Sequence, residues 1–464
     1  MNTDAPPIGT RDALPSAARH APGVVALTAT GAGTAMASVC AIGLFSIEAR
    51  VGGIWSVAAV LVAGLVCAWL ASVFARLATV VPSGASMIAY AIRGLGGRVG
   101  MLLVVPYFLA MLFLAGFEAI VVGELAARIL PLPPLIGAGL FLTGTWAICR
   151  AGLRVGYRTQ STATAALFVV LVSVCVMQML QAAELGVLQE RLLPAAPHPI
   201  AFLAAVGQAL FLFMGFELIT AHAEVARRGA VGPALCSSVV VLTLFYVSLA
   251  LGFASMPALS ESSDSFLIPQ LAIASQATVA GVVPVVALIC ILASFTSYNG
   301  ALLGLSRFTY SLAKQGMLIE RLAILHPRSL TARPALSALL AATMVSTATI
   351  QLFDLYLPAI FAAATAAALV YASMAFIREH TPFVEQGRGR IARMTGTTIA
   401  LVLFGLAVAV VAGADDTRRD LALVLLVFFS AAAWTARNMR ARTPATVKPQ
   451  HSRVWPMRLG NRSR

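Results

Sequence analysis

Charged residues are scarce in this chain. Asp, Glu, Lys and Arg make up only 11% of its 464 positions, whereas 59% are hydrophobic, and the mean hydropathy is +0.90. A soluble domain carries charge on roughly a quarter of its residues. The composition therefore excludes a water-exposed surface for most of the chain and indicates a protein whose solvent is lipid.

A polar stretch long enough to fold alone is also missing, because apolar runs are spread from end to end. These runs are unbroken and last about twenty residues, which is the length that a helix needs to cross a bilayer. Strands of a membrane barrel would instead show alternation over about ten residues. We therefore predict an all-α integral membrane protein with one membrane domain and short tails.

The apolar runs predict about twelve membrane spans in a domain at 23–436, flanked by cytoplasmic tails at 1–22 and 437–464. Residues 82–95 look like a re-entrant or interfacial bend rather than a span. The third and eighth runs are longer than a bilayer requires, so we expect them to tilt or project. The predicted spans lie near 23–47, 53–80, 101–129, 133–149, 161–183, 199–225, 232–255, 277–313, 334–352, 355–377, 394–413 and 419–436.

The basic residues indicate the orientation, because Lys and Arg in short loops stay on the cytoplasmic side. With the N-terminus inside, only Arg50, Arg128, Arg191, Arg418 and Arg419 of the 32 basic residues fall outside cytoplasmic segments. We expect an inner (plasma) membrane protein with both termini in the cytoplasm. The net charge of +14 then reflects topology and contact with lipid headgroups, and it does not indicate nucleic-acid binding.

Motifs for catalysis, metal binding and ATP hydrolysis are missing as well. The chain has no Ser/His/Asp or Cys/His set, no HExxH and no phosphate-cradling glycine loop. Its six cysteines show no CxxC spacing and indicate core packing. We therefore expect no enzyme, no cofactor, no metal and no ATP-driven transport. The cysteines are Cys40, Cys67, Cys149, Cys175, Cys236 and Cys290.

Two carboxyl groups lie where a membrane protein rarely tolerates them. Glu118 is near the middle of the third predicted span, and Glu217 is near the middle of the sixth. An ionisable group at that depth costs at least about 2.5 kcal/mol, so it normally faces a cavity or a partner and carries function. The alternative is that each carboxyl group is neutral or paired inside the bundle and contributes only packing specificity.

Two spans contain residues that favour a broken helix. Several glycines lie between residues 31 and 43 of the first span, and Met214 and Gly215 directly precede Phe216 and Glu217 in the sixth. Unwound backbone at the bilayer midplane exposes groups that can bind a substrate, although small residues also mediate helix packing. Because five helices separate the breaks, we predict an inverted repeat, with repeats near 23–183 and 199–377 and extra helices near 394–436.

Four motifs resemble the amino acid-polyamine-organocation (APC) family. The stretch Phe211 to Glu224, FLFMGFELITAHAE, is similar to the sixth-helix motif, and Ser297 to Leu336 to the eighth-helix and following-loop signature. Gly152-Leu153-Arg154 resembles the entry to the fifth helix, and Pro82-Ser83-Gly84 the segment after the second. The matching residues of the eighth-helix signature are Asn299, Ser306, Arg307, Tyr310, Ala313, Gly316, Leu322, His326, Pro327, Arg328, Thr331 and Pro334.

This resemblance implies a LeuT-like fold of ten core helices plus two peripheral ones, alternating access, and amino acids, polyamines or related organic amines as substrates. It leaves proton coupling and substrate exchange open. The chain departs from the family at Val225 and Gln315, where acidic residues are usual, and residues 161–183 lack the lysine that replaces sodium in some members. Hydroxyls at 294, 296 and 297 lie where sodium-dependent relatives bind the ion, or they bond back to their own helix.

The break in the first helix has two candidate registers. The family's Gly-(Ser/Ala)-Gly-(Ile/Leu)-Phe motif is approximated by AIGLF at 41–45, and an alternative register places the break at 37–39. Both stay open from the sequence. The substrate contacts expected from the two registers are therefore Ala37, Ser38, Val39, Ala41 and Gly43.

The resemblance also assigns roles in the sixth helix. Phe211 corresponds to an aromatic gate over the substrate, and Met214 and Gly215 belong to the unwound segment that contacts it. Glu217 would brace the broken sixth helix against the first and change its protonation between states. Phe211 and Glu217 are thus the candidates for gating and proton coupling.

The third and eighth helices complete the predicted substrate site. Glu118 would face the same cavity and pair with a cationic amine, which favours a basic or polyamine-like ligand. Asn299 and Ala301 would line the eighth-helix side, although an Asn in an apolar helix is as often a helix-to-helix hydrogen bond as a ligand contact. We therefore expect a secondary active transporter, and a nontransporting amine or amino acid sensor with the same fold is the alternative.

Overall fold

Helices account for every regular element in the computed structural model, which describes residues 21–255, 282–327, 329, 331–381, 390–412 and 417–442. Most of the two predicted tails, residues 256–281 and Arg328 of the eighth-helix signature lie outside the described residues. Within the described part, 3₁₀ segments lie at Phe216–His222 and Glu320–Ala323. The α-helices there are α1 (Val24–Ala35), α2 (Cys40–Val51), α3 (Gly53–Val80), α4 (Ser86–Leu95), α5 (Gly97–Ala127), α6 (Pro134–Ala151), α7 (Leu153–Glu184), α8 (Leu188–Leu192), α9 (Pro199–Leu212), α10 (Val231–Ala254), α11 (Val282–Lys314), α12 (Arg333–Phe353), α13 (Tyr356–His380), α14 (Arg390–Ala412) and α15 (Arg418–Arg442).

The lengths of these helices confirm an all-α integral membrane fold. Among the described residues, 10 helical segments are long and apolar enough to cross a membrane, and the bent pair α1 and α2 raises the number to 11. The 18-residue α6 lies in the fourth predicted span but is not one of these segments. The twelve-span topology and the domain boundaries therefore stay predictions.

The segment between the second and third predicted spans is a short helix. The 10-residue α4 is too short to cross a bilayer, which agrees with the expected bend at 82–95. It ends at Gly96, whose φ of 83° is a conformation that other residues rarely adopt. The third and eighth predicted spans correspond to α5, with 31 residues, and α11, with 33, so both extend beyond the length that a bilayer requires, as does α7, with 32.

The two broken spans lie side by side in opposite directions. The first half of one, α1, packs against the 3₁₀ segment Phe216–His222 that ends the other, and α2 packs against α9. This crosswise pairing brings both breaks to the same place. Helices α3, α7, α10 and α11 pack around the pair. The antiparallel arrangement is what the predicted inverted repeat would produce.

The last helices differ from α13 in burial. The most apolar part of α13 is 72% buried, whereas the figures for α14 and α15 are 22% and 28%. The exposed side chains of α14 include Leu401, Val402 and Phe404. Apolar side chains on that surface suit lipid rather than water. Thus α13 belongs to the inner bundle, and α14 and α15 lie at its edge, packed against α13 and α5.

Candidate functional site

The break in the first span lies at 36–39, between α1 and α2, where the two helices bend by 61°. This is the second of the two predicted registers. Ala41 and Gly43, from the other register, are inside α2. A Cβ at Gly43 would lie 3.0 Å from a methyl carbon of Leu212, so this glycine allows α2 to approach α9.

Glu118 binds this break from a different helix. Its buried carboxyl group on α5 accepts hydrogen bonds from the backbone N–H of Val39 at 2.9 Å and the hydroxyl of Ser38 at 3.0 Å. The hydroxyl of Ser294 on α11 donates to the same group. Val39 is the N-cap of α2, so the carboxyl group lies at the positive end of that helix. One side chain thus joins α2, α5 and α11.

A glycine forms the break in the sixth span. Gly215 follows α9 and precedes the 3₁₀ segment, and its φ is 117°. Side chains strain the backbone in that region. A Cβ at Gly215 would also lie 2.9 Å from Cγ2 of Thr34 on α1. Both the backbone conformation and the close approach of α1 therefore require glycine here.

Glu217 stabilises this second break from within the same segment. Its buried carboxyl group accepts hydrogen bonds from the backbone N–H of Gly215, at 3.1 Å to each oxygen, and from the hydroxyl of Tyr371 on α13 at 2.8 Å. The hydroxyl of Tyr107 on α5 donates to the same group. Cys67 on α3 is a further titratable neighbour. Glu217 is therefore held by the break itself and by two phenols.

One face of α5 connects the two carboxyl sites. Tyr107 and Glu118 are separated by about three helical turns, which places them on the same face, about 16 Å apart along the axis. Met111, Leu114 and Ala115 lie between them on that face and line a cavity. Helix α5 therefore contacts both breaks and forms the wall between them.

The cavity lies beside the first break, and α1, α2, α5, α9 and α11 contribute to it. Sulfur atoms come from Cys40, Met111 and Met214, and aromatic rings come from Phe211 and Tyr298. Glu118 is its acidic group, while Glu217 is not among the lining residues. The cavity is thus an apolar and aromatic chamber with a carboxyl group at one wall.

The structure brings several of the predicted substrate-site residues to this cavity, namely Ala37, Glu118, Phe211, Met214 and Ala301. Three others lie just behind it: Ser38 and Val39 bind the carboxyl group of Glu118, and Gly215 binds that of Glu217. These residues stabilise the two breaks by hydrogen bonds and do not line the cavity.

Asn299 faces away from the cavity. Its side-chain amide donates to Gln160 Oε1 at 2.6 Å, and the thiol of Cys149 donates to Asn299 Oδ1 at 3.1 Å. The amide of Gln160 in turn donates to the carbonyls of Ala29 on α1 and Thr296 on α11, at 3.3 and 3.0 Å. This network ties α1, α7 and α11 together, which is the helix-to-helix alternative considered for Asn299.

Two of the three hydroxyls considered for sodium bind other groups. Ser294 donates to Glu118, and Thr296 bonds back to the carbonyl of Ala293 at 2.8 Å. Ser297 lines the cavity. In the part of the chain that the structure describes, no group of three or more His, Cys, Asp or Glu side chains could hold a metal ion.

Three of the sequence motifs meet at the far end of the 3₁₀ segment. The backbone N–H of Gly84 donates to Glu224 Oε1 at 2.8 Å, and the hydroxyls of Ser86 and Thr220 are 2.5 Å apart. Gln315, after α11, donates weakly to Ser83 at 3.4 Å. These contacts join the end of the sixth predicted span to the segments after the second and eighth predicted spans.

Sequence reasoning missed Tyr107 and Tyr371, which bind Glu217, and Cys40 and Tyr298, which line the cavity. Aromatic residues in apolar helices look like packing residues, so only their spacing from a buried carboxyl group could have indicated a role in the site. Tyr107 lies three turns before Glu118 on the same face of α5. That spacing was the available signal.

Comparison with known proteins supports the fold alone. No protein-family description and no curated protein matches the chain. Two crystal structures of mutants of the Eremococcus coleocola manganese transporter are similar in structure, each with a TM-score of 0.52 and 15% identity. Each comparison covers 95% of this chain and 98% of that one. The chain therefore shares its all-helical membrane architecture with a transporter, and its resemblance to the APC family stays a prediction.

Proposed function

We propose that this protein is a secondary active transporter, a permease or exchanger, of organic amines or amino acids. The observation that carries the proposal is the meeting of two broken spans at a cavity that contains one carboxyl group. Broken helices expose backbone groups and a helix end in the interior of a membrane domain, where a substrate that leaves water needs polar partners. A helix bundle without cargo has no such need.

The contacts of α5 support alternating access as the mode of transport. This helix binds the first break through Glu118 and the second through Tyr107. A shift of α5 relative to either broken span changes both breaks together, because each carboxyl site has partners on α5. The bond between Gly84 and Glu224 joins α4 to the sixth span and is a candidate closure at one end.

Glu217 is the candidate for proton coupling. It lies outside the cavity wall and is bound by Tyr107, Tyr371 and Gly215, with Cys67 nearby. A change in its protonation would alter its acceptor capacity toward these donors and so the geometry of the second break. Substrate exchange without protons remains the other mode that the same breaks support.

Mn²⁺, the ion in the name of the similar transporter, is a less suitable cargo for this cavity. Glu118 is the one carboxyl group among the described residues that line the cavity. Hard divalent cations need several oxygen ligands. An organic amine needs one carboxylate and an apolar surround, and both are present at this cavity, whose volume of about 20 Å³ has to enlarge to admit the ligand.

The test is uptake by purified protein in liposomes. A labelled panel of amino acids, polyamines, other organic amines and Mn²⁺ is presented with and without a proton or sodium gradient. We expect saturable flux of at least one organic amine or amino acid. Binding without flux would establish the sensor alternative, and flux of Mn²⁺ alone would overturn the proposed cargo.

We also propose an inner (plasma) membrane location with both termini in the cytoplasm. Topology reporters fused at Arg464 and within the loop at Glu261 should report opposite sides, because an odd number of spans would separate the two positions in the twelve-span topology. Reports from the same side for both fusions would overturn that topology.

A further inference from the structure

An amino acid and an amine differ in the carboxylate, and the carboxylate needs donors. In a cavity inside a membrane those donors are basic side chains, hydroxyls or free backbone N–H groups, since an unpaired buried anion is costly. Broken helices supply N–H groups for this purpose when the helix ends are free. Whether the breaks of this protein can bind a carboxylate therefore depends on what already occupies them.

At the first break, a carboxyl group of the chain already occupies the N-terminal end of α2. The N-cap of α2 is Val39, and its N–H donates to Glu118 Oε1 at 2.9 Å. The hydroxyl of Ser38 donates to the other oxygen. The carboxyl group of Glu118 thus sits at the helix end where the carboxylate of an amino acid would have to bind.

At the second break, another carboxyl group of the chain occupies the N-terminal end of the 3₁₀ segment. The N-cap of the 3₁₀ segment is Gly215, and its N–H donates to both oxygens of Glu217. The two helix ends that face the breaks are therefore both bound by carboxyl groups of the chain itself. An amino acid would have to displace one of them.

The described cavity wall contains no positively charged donor, and its hydroxyls, on Thr34, Ser297 and Tyr298, are neutral. Among the described residues that line it there is no Lys, Arg or His, and Glu118 is acidic. A carboxylate ligand would meet Glu118 as a like charge, whereas a cation would meet it as a partner. The rings of Phe211 and Tyr298 add surfaces that attract cations through their π faces.

We propose that the cargo is an organic cation that lacks a carboxylate, such as a primary amine, and that Glu118 excludes amino acids by occupying the end of α2. This inference rests on the proposed function. It assigns to Glu118 two effects on selectivity, since the side chain attracts an ammonium group and repels and displaces a carboxylate.

The test compares each amine with its parent amino acid in counterflow by proteoliposomes: phenethylamine with phenylalanine, cadaverine with lysine, and agmatine with arginine. We expect at least one amine to exchange, with its parent amino acid at least tenfold weaker. Exchange of the amino acids equal to or better than the amines would overturn the inference and leave the proposed transport intact. If folded, monodisperse protein exchanges neither member of any pair, that result would overturn both the inference and the proposed transport.

A substitution separates Glu118 from the rest of the cavity. Glu118→Gln should weaken the preferred amine at least tenfold while the parent amino acid changes little or improves. The matched control is Glu124→Gln, a carboxylate on the same helix outside the cavity wall, which should keep the wild-type ratio. An equal loss for amine and amino acid in Glu118→Gln would show a structural role and overturn the inference. If that variant fails to fold, the wild-type pairs alone decide.

Discussion

The two helix breaks use the same kind of side chain in different ways. At the first break the carboxyl group comes from another helix, since Glu118 on α5 reaches the N-cap of α2 and also lines the cavity. At the second break it comes from within, since Glu217 lies two residues after Gly215 and is covered by two phenols. One carboxyl group lies at the cavity and the other is enclosed by protein groups.

This difference teaches how a pair of similar residues can divide two tasks. In the proposed function Glu118 contacts the ligand, because it is part of the cavity wall and also binds the end of α2. In the same proposal Glu217 couples to protons, because it binds Tyr107 and Tyr371 and does not line the cavity. Variants that disturb one break should therefore alter selectivity, and variants that disturb the other should alter coupling and stability.

The largest effect is expected from Gly215→Ala at the second break. The positive φ and the overlap with Thr34 should together cost about 2 to 4 kcal/mol, so we expect poor folding and no detectable transport. Thermal unfolding in detergent and counterflow measure the two effects. Gly139→Ala on α6 is the control, because nothing lies within 4 Å of an added Cβ there, and it should behave as wild type. Wild-type stability of Gly215→Ala would contradict the requirement for glycine.

Glu217→Gln should flatten the pH dependence of transport while the protein still folds. The amide keeps the size of the side chain but removes its titration, and it retains an oxygen that can accept from Gly215. Initial rates across a pH series, measured at a fixed membrane potential, provide the test. An unchanged profile would move proton coupling away from the second break.

A smaller loss is expected from Tyr371→Phe. Removing one hydroxyl that donates to a carboxylate costs about 1.5 to 3 kcal/mol when the bond is charged. The loss should shrink in the Glu217→Gln background, because the two residues share one interaction. A double-mutant cycle on thermal unfolding measures the coupling. Additive effects would show that Tyr371 acts independently of Glu217.

The smallest effect is expected from Ser38→Ala at the first break. Glu118 loses one of its donors but keeps Val39 and Ser294, so we expect a loss of about 1 kcal/mol, or about fivefold in affinity for a cationic amine. Ser237→Ala on α10, whose hydroxyl bonds to Pro233 in its own helix, is the control. A competition curve for each variant measures the shift. Wild-type affinity in Ser38→Ala would show that this hydroxyl does not position Glu118.

The sequence predicted the second break better than the first for a physical reason. Gly215 and Glu217 are neighbours in the chain, so a local pattern contains both the left-handed residue and the carboxyl group. The first break contains no such marker at 36–39, and Glu118 binds it from 79 positions away. Only the tertiary contact distinguishes that register from AIGLF at 41–45.

The all-helical fold followed from composition and run length, because lipid leaves few alternatives. Composition and run length did not predict the partners of the buried polar groups. Tyr107 and Tyr371 have no sequence neighbour that reveals their bonds to Glu217, and Asn299 gave no sign that it faces Gln160 rather than the cavity. Buried polar pairs join distant parts of the chain, so they appear only once the helices are packed.

The most direct measurement compares Glu118→Gln and Glu217→Gln in the same liposomes, with phenethylamine and phenylalanine as competing cargoes. If Glu118 faces the cargo and Glu217 does not, the ratio of amine to amino acid exchange should fall at least tenfold in Glu118→Gln and stay at the wild-type value in Glu217→Gln. The same change of ratio in both variants, or a change in Glu217→Gln alone, would contradict the division of tasks between the two breaks.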